Sequence, residues 1–126
     1  MTAELGPILV VDDDSAVRQA LRFALETEGM RVQLYDGPAA ILAADDLPAK
    51  GCLVVDYSMP VMNGIELVEA LHRRSVGLPV ILIASRVSND MRARAARSGI
   101  RQVLEKPLID GALVDTIRSA LVTSPH

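Results

Sequence analysis

The chain has 126 residues, half of them apolar, a formal net charge of −3 and one cysteine. That length suits one compact domain with a sizeable core, a lone Cys52 excludes an internal disulfide, and mild acidity gives no global attraction to nucleic acid. The apolar runs are far too short to cross a bilayer. The start, Met1-Thr-Ala-Glu-Leu-Gly-Pro7, has neither the basic residues nor the apolar stretch of a signal peptide. A cytoplasmic chain without a membrane partner is therefore expected, with Cys52 as a small buried residue.

Ile8-Leu9-Val10-Val11 is a short, wholly apolar run, as a strand buried on both faces requires. Asp12 to Ser15 supply helix-capping chemistry, and Val17, Leu21, Ala24 and Leu25 form a stripe of helical period that Gly29 closes. Arg31 to Tyr35 alternates, which suits a strand nearer the sheet edge. Gly37-Pro38 opens a second helix through Ile41 and Leu42, with Pro48 beyond its end.

The unit then repeats. Cys52 to Val55 is an apolar strand, followed by a loop through Pro60 and a helix carrying Ile65, Leu67, Val68 and Leu71. Pro79 to Ile83 is the next strand, Ser88 to Ser98 a helix stopped at Gly99, and Gln102 to Leu104 a final short strand. Lys106-Pro107 precedes a last helix bearing Leu113, Ile117 and Leu121. Five alternating β and α elements predict a parallel sheet covered by helices on both faces. Right-handed crossovers make it doubly wound.

In such a sheet ligands bind beyond the carboxyl ends of the strands. Asp12 and Asp13 stand at the end of the first strand, Asp56 at the end of the third, Ala84 and Ser85 after the fourth, and Lys106 after the fifth. Carboxylates converging there repel one another unless a cation joins them, and hard oxygen donors in a small wet site suit Mg²⁺. A nearby lysine suits an anionic phosphoryl oxygen. The Asp56 carboxylate could then attack phosphorus. Taken singly, each feature has a plainer account: Asp12 to Asp14 as helix caps, Asp56 as a turn former, Lys106 as a surface lysine. Together they favour a site. His72 and His126 lack ligand partners and read as surface residues, while Tyr35 and Tyr57 read as packing or rim residues.

On these residues the chain resembles the receiver domains of two-component response regulators, most closely those of nitrogen-fixation-type regulators. The resemblance rests on Asp12-Asp13, on Asp56 with Met59-Pro60 and Gly64 behind it, and on Lys106-Pro107. It covers residues 8 to about 121 of what reads as a single receiver domain over 1–126. It implies a flavodoxin-like (βα)₅ sheet in the order 2-1-3-4-5. It also implies a phosphoacceptor Asp56, supplied by a histidine kinase or phosphotransfer protein, and Mg²⁺ held by Asp13, Asp56 and the Ser58 carbonyl, with Asp12 acting through water. Lys106 would pair with the carboxylate and later with the phosphoryl group, and the Lys106-Pro107 bond would be cis. Such a domain is not an enzyme beyond any self-dephosphorylation. An aspartyl-phosphate phosphatase would want a second acid where Ser58 stands.

Two positions depart from the family. Its fourth strand ends in a threonine or serine that bonds the phosphoryl group; here Ala84 has no hydroxyl. The neighbouring Ser85 would point the other way on a regular strand and could serve only if the strand end bends or bulges. The family's second switch residue is an aromatic three places before the lysine; here it is Val103. Arg86 could take over part of the hydroxyl's role or simply be a solvated loop residue. The alternative function is therefore a pseudo-receiver, an interaction module without a phosphorylation switch. Arg86, Arg92, Arg94, Arg97 and Arg101 face only Asp90 in their segment. This basic patch is either a solvated face or a contact for an acidic partner. In the family, the fourth helix, fifth strand and fifth helix carry dimer or partner contacts. Few aromatics argue against nucleic acid.

Overall fold

The computed structural model describes residues 6–108 and 111–123. Its elements run β1 (Ile8–Val11), α1 (Ser15–Thr27), β2 (Val32–Tyr35), α2 (Pro38–Ala43), β3 (Cys52–Asp56), α3 (Gly64–Arg73), β4 (Val80–Ala84), α4 (Asn89–Arg97), β5 (Gln102–Glu105) and α5 (Ala112–Thr123). The five strands form one parallel sheet in the order β2-β1-β3-β4-β5, the doubly wound architecture expected from the sequence.

Strand composition follows position. The central strands β1, β3 and β4 are buried at every residue, because helices cover both faces and leave no wet side. The edge strands β2 and β5 are only partly covered and tolerate Gln33, Gln102 and Glu105. Along each central strand the side chains divide with period two. Leu9, Val11, Leu53, Val55, Val80 and Leu82 meet α2, α3 and α4 through Ile41, Leu67, Leu71 and Ala95. Ile8, Val10, Cys52, Val54, Ile81 and Ile83 meet α1 and α5 through Leu21, Leu25, Leu113 and Ile117. Each such Leu or Ile contributes on the order of 2 kcal/mol by leaving water. Cys52 is fully buried, and burial pushes its thiol up to about 12, so it packs as a small apolar residue.

Local signals explain the helix ends. The Asp14 side chain caps α1 by accepting the N–H groups of Ala16 and Val17 at 2.9 and 3.2 Å, and Ser88 caps α4. At the start of α3, Asn63 and Glu66 exchange side-chain and backbone hydrogen bonds, each 2.9 Å, a capping box that the hydrophobic pattern did not reveal. Gly29 ends α1 at φ 85, where a side chain would be strained.

Some expectations shift by a residue. Strands β3 and β5 run one residue further, to Asp56 and Glu105, and β4 spans Val80–Ala84 in place of Pro79–Ile83. Pro79 contributes only its carbonyl, which accepts from Leu53 N–H at 2.8 Å. Ala24 is exposed: it lies beside, not within, the inward stripe of Val17, Leu21 and Leu25. Tyr35 and Tyr57 are half-buried against the core and His72 is exposed; His126 lies outside the described residues. Among the described residues no helix is long and apolar enough to cross a membrane.

Candidate functional site

Sheet register builds the site. Val11 pairs with Val55, so the next residues, Asp12 and Asp56, emerge side by side from adjacent strands. Both are nearly buried, at 4% and 6% exposure, whereas Asp13 is exposed. One carboxylate oxygen from each of Asp12, Asp13 and Asp56 lies within 4.8 Å of the others. From the far side, Lys106 Nζ reaches to 3.0 Å from Asp56 Oδ1. Its loop is fixed by Lys106 N–H donating to the Ala84 carbonyl at 2.8 Å, and the Lys106-Pro107 peptide is cis.

The acidic loop is held from several directions. Asp12 Oδ1 accepts from Asp14 N–H at 2.9 Å, its carbonyl accepts from Arg18 Nη1 at 2.8 Å, and its N–H donates to Tyr35 O at 3.2 Å. Behind Asp56, Gly64 N–H donates to Tyr57 O at 2.9 Å. A Cβ on Gly64 would sit 2.7 Å from both Asp56 O and Leu82 Cδ1, so glycine lets α3 seat directly on the end of β3.

Burial raises the proton affinity of both inner carboxyls. For Asp56, desolvation pushes the pKa up, the Lys106 hydrogen bond and charge pull it down, Asp13 raises it and the Ser58 N–H lowers it. For Asp12, desolvation again dominates, opposed by the Asp14 N–H and Lys106 and reinforced by Asp56 and Asp13. Burial is thus the main cause, outweighing an adjacent ammonium, and the neighbouring carboxylates add to it. Three hard oxygen donors at this spacing fit a small divalent cation, and Mg²⁺ is the cation such a donor set suits.

The remaining sequence-derived positions fall as follows. Ser58 is exposed and meets Asp56 through its N–H. Ala84 ends β4 at 2% exposure, in regular register with Glu105. The chain bends immediately beyond, at Ser85 and Arg86, both exposed. Val103 pairs with Leu82 and packs, half-buried, on the α4 side of the sheet. Sequence reasoning missed Arg18. Its only signal was a cation one helical turn after the Asp14 cap, a spacing too common to single out.

A parallel 2-1-3-4-5 sheet thus carries three carboxylates and a lysine at its carboxyl edge. The chain belongs to the response regulator receiver domain family, whose profile matches residues 8–118. It is 36% identical over 115 residues to the transcriptional regulatory protein FixJ of Azorhizobium caulinodans, covering 91% of this chain and 54% of that protein. It is 38% identical to the C4-dicarboxylate transport transcriptional regulatory protein DctD of Pseudomonas aeruginosa, covering 90% of this chain and 25% of that one. The chain thus spans about half the length of FixJ and a quarter of DctD. The crystal structure of FixJ-N superposes with a TM-score of 0.85 at 31% identity, covering 95% of this chain and 96% of that one. A CheY-like receiver from Methanospirillum hungatei gives 0.85 at 27%, covering 94% of each.

Proposed function

We propose that this receiver domain accepts a phosphoryl group on Asp56 from a histidine kinase or a histidine phosphotransfer protein in the cytoplasm. The observation that carries the proposal is the meeting of three carboxylates within 4.8 Å, with an ammonium 3.0 Å from Asp56. A carboxylate oxygen of Asp56 forms the new bond to phosphorus as the donor's P–N bond breaks, its electron pair remaining on the donor imidazole. Lys106 moves from the carboxylate to a phosphoryl oxygen and balances its charge. Asp13, Asp56 and the Ser58 carbonyl would hold Mg²⁺, with Asp12 contributing through water. When bound, the ion supplies positive charge against the repulsion of incoming phosphate and resident carboxylates. Arg18 and the Asp14 N–H keep Asp12 in place. The domain, with its core over residues 8–121, works as a phosphoacceptor and not as a turnover enzyme.

The test is intact mass after incubation with acetyl phosphate and Mg²⁺. One added phosphoryl group is expected, absent from Asp56→Asn and from a metal-free sample; an unlabelled wild-type chain beside a labelled ordinary receiver would refute the assignment.

Ala84 favours a second reading in one respect. No hydroxyl ends β4, and a small aliphatic Val103 stands where the family's aromatic would turn. Phosphorylation on Asp56 then lacks the coupling that moves β4 and β5 together. The consequence is either a weakened conformational response or a pseudo-receiver that works by binding alone. Identical partner affinity before and after phosphorylation would select the latter.

A further inference from the structure

The basic segment between Arg86 and Arg101 holds five arginines and one aspartate, a net +4 in a chain whose net charge is −3. Helix α4 sits at its centre with little packing to stabilise it, since Ala95 is its one buried residue. On the flank facing α3 lies an open groove of about 410 Å³, lined by Glu69 and His72 from α3 and by Arg94, Arg97, Ser98 and Gly99. This groove lies at the helix C-termini, at the end of the sheet opposite the acidic site, and on the other side of α4 from β5.

Its internal chemistry is unbalanced. Among the described residues the one carboxylate that lines it, Glu69, accepts a hydrogen bond from the Ser98 hydroxyl at 2.8 Å. Among the described residues Arg94 and Arg97 form no ion pair. The His72 ring closes the floor against Gly99, where an added Cβ would lie 3.2 Å from His72 Cε1. A helix dipole welcomes cations in the last turn, which accounts for a basic residue there. It does not account for two arginines three positions apart, a like-charge spacing that destabilises a helix, nor for a neighbouring glutamate committed to a serine.

We propose that the α3–α4 groove is a docking site for an acidic protein segment, whose carboxylates pair with Arg94 and Arg97. Planar guanidinium groups take carboxylates two bonds at a time, and the floor carboxylate of Glu69 fixes the register by excluding an acid from its own position. A continuous phosphate backbone would meet that same carboxylate, and the groove offers no stack of aromatic rings for bases. The groove shares no residue with the Asp56 site.

The experiment uses the full chain and a fluorescein-labelled glutamate-rich peptide of about ten residues, read by fluorescence anisotropy at low and high salt. Arg94→Glu with Arg97→Glu is expected to weaken binding by more than about tenfold, and the milder Arg94→Gln with Arg97→Gln by less. Arg31→Glu, an exposed charge reversal outside this segment, serves as control and is expected to change affinity by less than about twofold. Glu69→Gln and Asp90→Asn each remove one negative charge, but only Glu69 lines the groove, so Glu69→Gln is expected to tighten binding more. Equal effects of these two neutralisations, or equal losses for Arg31→Glu and the double reversal, overturn the groove. Displacement of the peptide by single-stranded DNA at equal or lower concentration overturns the choice of partner. Both exposed arginines lie outside the core, and an unchanged melting temperature of the double variants confirms that binding, not folding, is being read.

Discussion

Lys106 Nζ lies 3.0 Å from Asp56 Oδ1, in a pair whose members are unequally wet: the lysine side chain is 34% exposed and the aspartate 7%. The carboxylate therefore depends on the lysine more than the lysine on the carboxylate. Lys106→Met removes the foremost influence that lowers the Asp56 pKa and leaves a buried charge without its partner. A loss of about 1 kcal/mol at neutral pH is expected, discounted from a fully buried pair because Lys106 is partly solvated. Urea denaturation checks it: the deficit should shrink as pH falls and Asp56 takes up a proton.

The acidic pair makes the metal-free protein pH-dependent in a definite direction. Asp12 and Asp56 both have pKa values raised above 3.8 by burial. The native state then binds more protons than the unfolded chain, and the pair's contribution is fully favourable below the unfolded pKa and lost as pH rises through the native values. Asp56→Asn should raise the melting temperature at neutral pH, by on the order of 1 kcal/mol in stability, and the gain should vanish in acid. Mg²⁺ should reverse the ranking, adding about 2.7 kcal/mol to the wild type at a hundredfold excess over its Kd and nothing comparable to the variant. Melting curves with and without the ion at several pH values decide both points.

Arg18 acts on the acidic loop without belonging to the triad, because its guanidinium holds the Asp12 carbonyl at 2.8 Å. Arg18→Met should weaken Mg²⁺ by about tenfold, the scale seen when an outer partner of a ligand is lost. Arg18→Lys should recover part of that loss. Displacement by Mg²⁺ of terbium whose luminescence Tyr57 sensitises measures it. A fall in melting temperature with unchanged metal affinity would reduce Arg18 to a structural role.

Ala84→Ser tests the missing hydroxyl. The position ends a regularly paired strand at 2% exposure, and one added oxygen is a small volume change. A charge-assisted hydrogen bond to the phosphoryl group is worth about 1.5–3 kcal/mol. The phosphorylated variant should therefore change amide exchange in β4 and α4 more than the phosphorylated wild type does. Identical exchange in the two proteins would mean that the hydroxyl is not what the switch lacks.

Asn63→Ala removes one half of the capping box at α3. The expected cost is about 1 kcal/mol, seen as a lower urea midpoint with an unchanged slope. Since Asn63 precedes the glycine that seats α3 on Asp56, a fall in labelling rate should accompany it.

The fold was legible because its cause is local in the chain. Buried runs such as Ile8–Val11 and Cys52–Val55 have no charged residue to obscure them, and the amphipathic helices between them leave few topologies. The carboxylates and lysine were legible because strand ends point to one edge. What escaped were relationships between side chains and backbone. Arg18 reaching the Asp12 carbonyl, Asn63 trading bonds with Glu66, and Ser98 engaging Glu69 at 29 residues' separation depend on rotamers and loop paths that spacing does not encode. Ala24 was misplaced for a related reason: alanine fits either side of a helix, so its identity carries no information about facing.

The pairing of Val11 with Val55 has a wider meaning. Asp12 and Asp56 are neighbours only because β1 and β3 are aligned residue for residue, and a slip of one position would turn every side chain of the moving strand to the opposite face. Cation affinity is thus a gauge of sheet alignment. A substitution deep in β1 or β3 that leaves the helices intact, and so escapes circular dichroism, should still announce itself as a weaker grip on the ion at the far end of the strand.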